Sequence, residues 1–309
     1  MLPAVFPALI AWGAGVIEAL QAASTPVLDA LFTGVTLLGQ EPLFLLLAPI
    51  LFWCVGKRFG LRVAGLVVAT LCVNEALKAW VAEPRPFLVH AAIQAKVLAR
   101  GYSFPSGHAQ LSATVWPVLA ARAGRRWFTA LAGVLIAAVA FSRVYLGVHY
   151  PHDVAAGIVV GLLVAALAMA AEARLRPLLG PRRAEALLVL GIAGAAALLA
   201  ALIERDVLLV LGGALGASGG WLLEERLLAA RLVRGPRACA ARILLGGTLL
   251  GAAYLAIDRW AGPGALALPL YALLGGAATL GVPWLFVRLG LMTADRGAPC
   301  SPLGQRGSP

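Results

Sequence analysis

Ser142-Arg143-Val144-Tyr145-Leu146-Gly147-Val148-His149-Tyr150-Pro151-His152-Asp153 lies between two long apolar runs, where one membrane helix ends and the next begins. It places a guanidinium, two imidazoles and a carboxylate within twelve residues. Charged and titratable groups are costly at a membrane boundary and tend to be kept for function. Two further clusters point to the same site: Lys78 with Arg85-Pro86, and Pro105-Ser106-Gly107-His108.

The setting is apolar throughout. Hydrophobic residues make up 61% of the 309 residues and charged residues 13%, where a soluble domain is nearer half apolar and a quarter charged. The composition is that of an all-α, polytopic membrane bundle. The net charge of +11 fits arginines held in cytoplasmic loops and attraction to anionic headgroups. Nucleic-acid binding would need a soluble basic face, and none is visible. Cys54, Cys72, Cys239 and Cys300 have no spacing suited to a metal site or a disulfide framework. Met1-Leu2-Pro3-Ala4 lacks a basic n-region, so the first apolar run reads as a retained anchor.

Apolar runs of spanning length predict ten helices, at about 4–22, 41–56, 61–81, 106–122, 127–143, 153–173, 184–203, 207–223, 242–257 and 265–287. Residues 25–40, with Pro26 and Gly39, suit a re-entrant or interfacial piece better than a span. Arginines crowd alternate connections: Arg58 and Arg62, then Arg122, Arg125 and Arg126, then Arg174 to Arg183, then Arg226 to Arg242. The positive-inside rule puts these in the cytoplasm. Residues 82–105 and 144–152 then fall on the opposite, periplasmic side of a bacterial inner membrane, together with all three clusters. Between Phe87 and Arg100 apolar residues recur at near-helical spacing, which suggests a helix lying on the surface; an irregular loop fits equally well. The expected organisation is a core over 1–175, accessory membrane helices over 176–292 and a disordered tail over 293–309, rich in Gly, Pro and Ser.

Each cluster suits phosphoryl chemistry. A phosphoryl group carries charge on several oxygens and needs fixed positive donors, and Lys78, Arg85 and Arg143 at helix ends could form such a clamp. Ser106 is a natural N-cap, Gly107 lets the backbone approach an oxygen, and the free N–H groups of a helix start bind anions. His108 projects from that first turn and could protonate a leaving oxygen. His149 and Asp153 are four apart, on one face of a helical turn. Asp153 can take the Nδ1–H of His149 and leave Nε2 to attack phosphorus. His152 lies off this face, as an interfacial or supporting residue, and His90 sits in the outer loop within reach of a substrate.

These residues resemble the type 2 phosphatidic acid phosphatase superfamily, which includes lipid phosphate phosphatases and vanadium haloperoxidases. Its three-part pattern is matched without departure: Lys78, six residues, Arg85-Pro86; then Pro105-Ser106-Gly107-His108; then Ser142-Arg143, five residues, His149, three residues, Asp153. The resemblance covers about 40–173 and implies a six-helix phosphatase core. It implies that Lys78, Arg85, Ser106, Gly107 and Arg143 bind phosphate. It casts His108 as general acid/base, His149 as nucleophile and Asp153 as its partner. For this chain the resemblance to the phosphatases implies hydrolysis without a metal or other cofactor. About four further helices follow residue 183, and the resemblance does not reach them.

The function expected is hydrolysis of a lipid phosphate or pyrophosphate through a phosphohistidine, with undecaprenyl pyrophosphate, phosphatidic acid and phosphatidylglycerol phosphate as candidates. A lipid-phosphate carrier or flippase is the alternative from another class. A phosphatase of soluble sugar phosphates and a haloperoxidase fit less well. The helices after residue 183 would serve as a homodimer interface or as a lateral wall for a long lipid tail.

Overall fold

The computed structural model describes residues 7–200, 205–261 and 266–294. It is an all-α bundle apart from one two-stranded ladder. The first part comprises α1 (Pro7–Ala22), α2 (Pro26–Thr36), α3 (Glu41–Cys54), α4 (Lys57–Val81), the short α5 (Pro86–Val89), α6 (Gly107–Ala123), α7 (Arg126–Tyr145) and α8 (Pro151–Ala200). The second comprises α9 (Arg205–Leu227), α10 (Pro236–Ala261), α11 (Ala267–Gly276) and α12 (Val282–Arg288), the last two joined by a π-helical turn over Ala277–Gly281.

Ten spans were expected; among the described residues five helices are long and apolar enough to cross a membrane unaided. A sixth span arises if the pair Pro26–Gly39 and Glu41–Cys54, bent by 47°, is counted as one. The segment 25–40 is therefore one arm of a broken helix pair. Two other expected spans, α1 and α6, are helices of only 16 and 17 residues. The outer segment 82–105 is a four-residue helix followed by irregular chain, so the surface helix is not formed. Its backbone is held elsewhere: Ser103 N–H donates to Glu83 O and Lys96 N–H to Leu146 O.

The connection expected near 174–183 is also helical. α8 runs unbroken for 50 residues through Pro177 and Pro181. Apart from the two prolines and Gly180 the stretch 174–183 is Leu and Arg, both good helix formers. Residues 201–203 of the expected seventh span, and 295–309 of the expected tail, lie outside the described residues. Thr293 and Ala294 belong to a strand: β1 (Ala230–Leu232) pairs antiparallel with β2 (Met292–Ala294), Arg231 opposite Thr293.

The core is built on α6, which packs against α4, α7 and α8. Phe44, Leu66, Leu111, Val115 and Ala165 close one side; Ile17, Ala109, Val144 and Tyr150 close the other. Between α4, α6 and α8 runs a buried polar ladder. Asn74 Nδ2 donates to Gln110 Oε1 (2.8 Å) and to the carbonyl of Pro105 (3.2 Å). Gln110 Nε2 donates to Thr70 O at 3.0 Å, and Thr70 Oγ1 lies 3.0 Å from Thr114 Oγ1. Such bonds act as glue where no water competes. α8 comes close enough to need glycine: a Cβ on Gly161 would stand 2.3 Å from Gln110 O.

The second part is seated on α3 and the start of α4. Trp53 Nε1 donates to Ala278 O at 2.9 Å, and its ring meets Phe286 edge-on at 5.5 Å. Lys57 Nζ reaches Glu224 at 2.7 Å and Glu225 at 3.1 Å. The other oxygen of buried Glu224 accepts Ala230 N–H at 2.9 Å.

Gly161→Val is expected to destabilise by about 1–3 kcal/mol through forced separation of α6 and α8. Gly133→Val, where a Cβ meets nothing within 4 Å, is expected to stay within about 0.5 kcal/mol. Thermal unfolding in detergent compares the two.

Candidate active site

Three helix ends and two turns meet above α6. Lys78 is in the last turn of α4, after which Ala82 takes a left-handed conformation (φ 52°) and releases the chain toward Arg85. Arg143 is in the last turn of α7. His149 stands in the α7–α8 turn, and Asp153 in the first turn of α8. The turn is tight at Gly147, whose φ is +72° and whose Cβ would lie 2.4 Å from Gln94 O.

His149 is buried and doubly engaged. Its Nε2 is 3.2 Å from Arg85 Nη1, which donates to it. Its Nδ1 is 3.4 Å from Asp153 Oδ2. The tautomer consistent with both is Nδ1–H, with the Nε2 lone pair facing the cation. Burial, and after it the charges of Arg143, Arg85 and Lys78, hold this imidazole well below the ordinary range. His149 is therefore neutral at pH 7.

The cations are placed by different means. Arg85 is buried, and its guanidinium donates to the carbonyls of Arg100 (2.6 Å), Val148 (2.9 Å) and Gly101 (3.1 Å). Buried Arg143 donates to Thr36 Oγ1 at 2.8 Å, while its Nε has no protein partner. Lys78, the more accessible, reaches Glu75 at 2.7 Å. Ser106 occupies the N-cap of α6 as expected, but its side chain makes no capping bond; Oγ is buried without a partner, and so is His108 Nε2. Gly107 backs onto Asn74, whose Oδ1 would lie 3.0 Å from a Cβ there. The charges acting on His108 are again Arg143, Lys78 and Arg85. All eight sequence-predicted residues thus belong to one neighbourhood. Three buried polar atoms in it, on Ser106, His108 and Arg143, have no hydrogen-bond partner among the described residues.

One member was missed. Ser103 Oγ donates to Asp153 Oδ2 at 2.5 Å and is 3.5 Å from His149 Nδ1. The same carboxylate oxygen accepts Tyr150 N–H at 2.8 Å. Ser103 and the Tyr150 amide thus hold the carboxylate that orients the imidazole. A serine two residues before a proline carries no signal of its own, so its place became visible only with the loop folded.

His152 faces away from the cations: its Nε2 is 2.8 Å from Glu83 Oε1, and its ring stacks on Tyr150 at 5.2 Å. His90 meets the other edge of Tyr150 at 6.1 Å. Among the described residues Glu83, His152 and Asp153 bring ligand-type atoms within 4.8 Å of one another. His152 is committed to Glu83, and Asp153 Oδ2 to Ser103 and Tyr150. The group reads as an ion pair beside the orienting carboxylate.

Comparison with known proteins finds similarity over both parts of the chain. Residues 59–177 match the profile of the PAP2 superfamily, and 208–296 that of the transmembrane extension of PAP2 superfamily phosphatases. Phosphatidylglycerophosphatase B of Bacillus subtilis is 32% identical over 155 residues, 45% of this chain and 72% of that one. Undecaprenyl-diphosphatase of Sulfolobus acidocaldarius is 31% identical over 117 residues, 38% of this chain and 56% of that one. Among solved structures, the transmembrane PAP2 type phosphatidylglycerolphosphate phosphatase from Bacillus subtilis is similar at 29% identity and a TM-score of 0.47, over 53% of this chain and 86% of that one. The three clusters, the helical bundle that gathers them and the extended match to a curated relative place this chain in the PAP2 superfamily, with that superfamily's phosphatase extension at its C-terminal side.

Proposed function

We propose that this multi-pass membrane phosphatase hydrolyses the phosphate or pyrophosphate headgroup of a lipid at the periplasmic face of the bacterial inner membrane. The observation that carries the reading is the position of His149: Nδ1 toward a fixed carboxylate, Nε2 toward Arg85, inside a group of three cations. The arginine-rich connections at the opposite ends of the helices support the orientation. The relatives named above support a lipid substrate.

In the proposed reaction the phosphoryl oxygens are held by Lys78, Arg85, Arg143, Ser106 Oγ and the Gly107 N–H. The Nε2 lone pair attacks phosphorus while the P–O bond to the lipid breaks, and His108 gives its proton to the departing oxygen. For a diphosphate the departing group is the lipid monophosphate. Asp153 stabilises the charge that the ring acquires. His108 then takes a proton from water, the oxygen of which attacks phosphorus. The P–N bond breaks, and inorganic phosphate leaves with His149 regenerated. No step needs a metal. We further propose that 1–175 is the catalytic core and 176–292 an accessory membrane unit. Its contacts with α3 and α4 of its own chain favour a lateral wall over a homodimer surface.

A panel of undecaprenyl pyrophosphate, phosphatidic acid, phosphatidylglycerol phosphate and a soluble sugar phosphate, assayed in detergent with EDTA, tests the reading. The lipids are expected to release phosphate with EDTA present. His149→Ala is expected to lose about three orders of magnitude or more in kcat. Undiminished hydrolysis by that variant removes the mechanism, and lipid translocation persisting in it would favour a carrier.

Ser103→Ala is expected to lower kcat by about tenfold to a hundredfold with little change in KM. The loss is one hydrogen bond to a buried carboxylate; Ser103→Thr should restore much of it.

The pH dependence follows from the lowered pKa. A lowered value keeps His149 neutral as pH falls through 6.5, its ordinary value. The acidic limb of kcat/KM due to His149 should lie below that pH, and Arg143→Gln should move it upward. Titration of isotope-labelled histidine in the unliganded protein checks the same shift directly.

A further inference from the structure

At the other end of the same helices is a group of basic residues. Arg58 and Arg62 open α4, while Lys78 closes it; Arg122 ends α6, while His108 begins it. The sixteen residues from Arg62 to Lys78 correspond to about 24 Å of helix. Here a cavity of about 260 Å³ lies between α4, α6, α8 and α9. Its described lining is mostly apolar side chains, among them Phe59, with three guanidinium groups (Arg58, Arg62, Arg122) and one carboxylate (Glu172). Arg62 is paired with Glu172, and the Arg122 guanidinium lies 5.7 Å from the centre of the Phe59 ring.

Trp221 of α9 supplies the second observation. It lines this cavity and is only 6% exposed, yet its indole Nε1 has no hydrogen-bond partner. A buried N–H without an acceptor costs free energy unless something satisfies it. Trp221 borders the same space as two α4 guanidinium groups and a third from α6. An apolar wall with donors and positive charge along its lining is complementary to an amphiphile with an anionic head.

We propose that this cavity binds an anionic phosphodiester lipid from the leaflet opposite the catalytic cluster, its phosphate among Arg58, Arg122 and Trp221 Nε1 and its chains along α4, α6 and α8. The lipid would bridge the catalytic bundle and the C-terminal extension, because Trp221 alone among these residues comes from the extension. The proposal stands apart from the phosphatase reading: a phosphodiester has no terminal phosphoryl group to transfer.

The test is thermal unfolding of the full chain in detergent, titrated with phosphatidylglycerol, phosphatidylcholine or sn-glycerol 3-phosphate. Phosphatidylglycerol is expected to raise the midpoint saturably, and the other two to leave it unchanged. Arg122→Gln and Trp221→Phe should each require about tenfold more phosphatidylglycerol for half the effect, while His149→Ala should respond as the wild type. A photoactivatable phosphatidylglycerol on the wild-type protein, which needs no variant, should crosslink to α4, α6 or α9 beside Trp221. Equal stabilisation by phosphatidylcholine or by sn-glycerol 3-phosphate, unchanged titrations in both variants, or crosslinks confined to other surfaces would each overturn the proposal.

Discussion

Two guanidinium groups are buried around a buried imidazole, Arg85 at 3.2 Å from it and Arg143 close enough for its charge to act on it, and the architecture around them serves to make that tolerable. An ion moved out of water is costly unless its donors are met. Arg85 is met by three carbonyls rather than by a carboxylate. That choice leaves its full positive charge pointed at the site. A carboxylate would neutralise the charge that a phosphoryl group needs; carbonyl oxygens hold the geometry and leave the field. The loop after α4 therefore has to be irregular, because a regular helix would spend those carbonyls on its own hydrogen bonds.

The same constraint explains the first two helices. Arg143 depends on Thr36, and Tyr145 and Lys96 both bind Asp29, at 2.7 Å each. Gln21 makes a two-way bond with the backbone of Gln94. Three residues of the N-terminal segment, Gln21, Asp29 and Thr36, thus hold the end of α7 and the outer loop in place. Behind them, the Asn74–Gln110–Thr70 ladder fixes α6 against α4 and, through Asn74, the Pro105 carbonyl next to Ser106.

What could be read from the chain alone was which titratable residues gather in one place. Lysine, arginine, histidine and aspartate stand out against alanine and leucine, and their spacing in three clusters was sufficient to foresee one neighbourhood. What could not be read was whatever depends on folding the outer loop. Ser103 and the Arg100 and Gly101 carbonyls are ordinary residues until the chain turns back on Glu83. Thr70, Asn74, Gln110 and Thr114 looked like scattered polar residues in apolar runs, since their pairing is between helices. The number of spans is hard to read for a related reason. Apolar length signals burial in lipid or in protein alike, and α6 at 17 residues is largely surrounded by protein. The continuity of α8 through two prolines was hidden because proline and arginine together usually mark a connection.

The hydrogen bond from Arg85 to the His149 lone pair has one more implication. On the proposed mechanism the reactive nitrogen is covered at rest by the guanidinium that will later grip the substrate. A neutral electrophile drifting in from the bilayer meets a blocked nitrogen. An anion competes for the guanidinium and in doing so uncovers the ring. Chemical discrimination would then begin before any bond is made, with arrival of negative charge as the event that arms the imidazole.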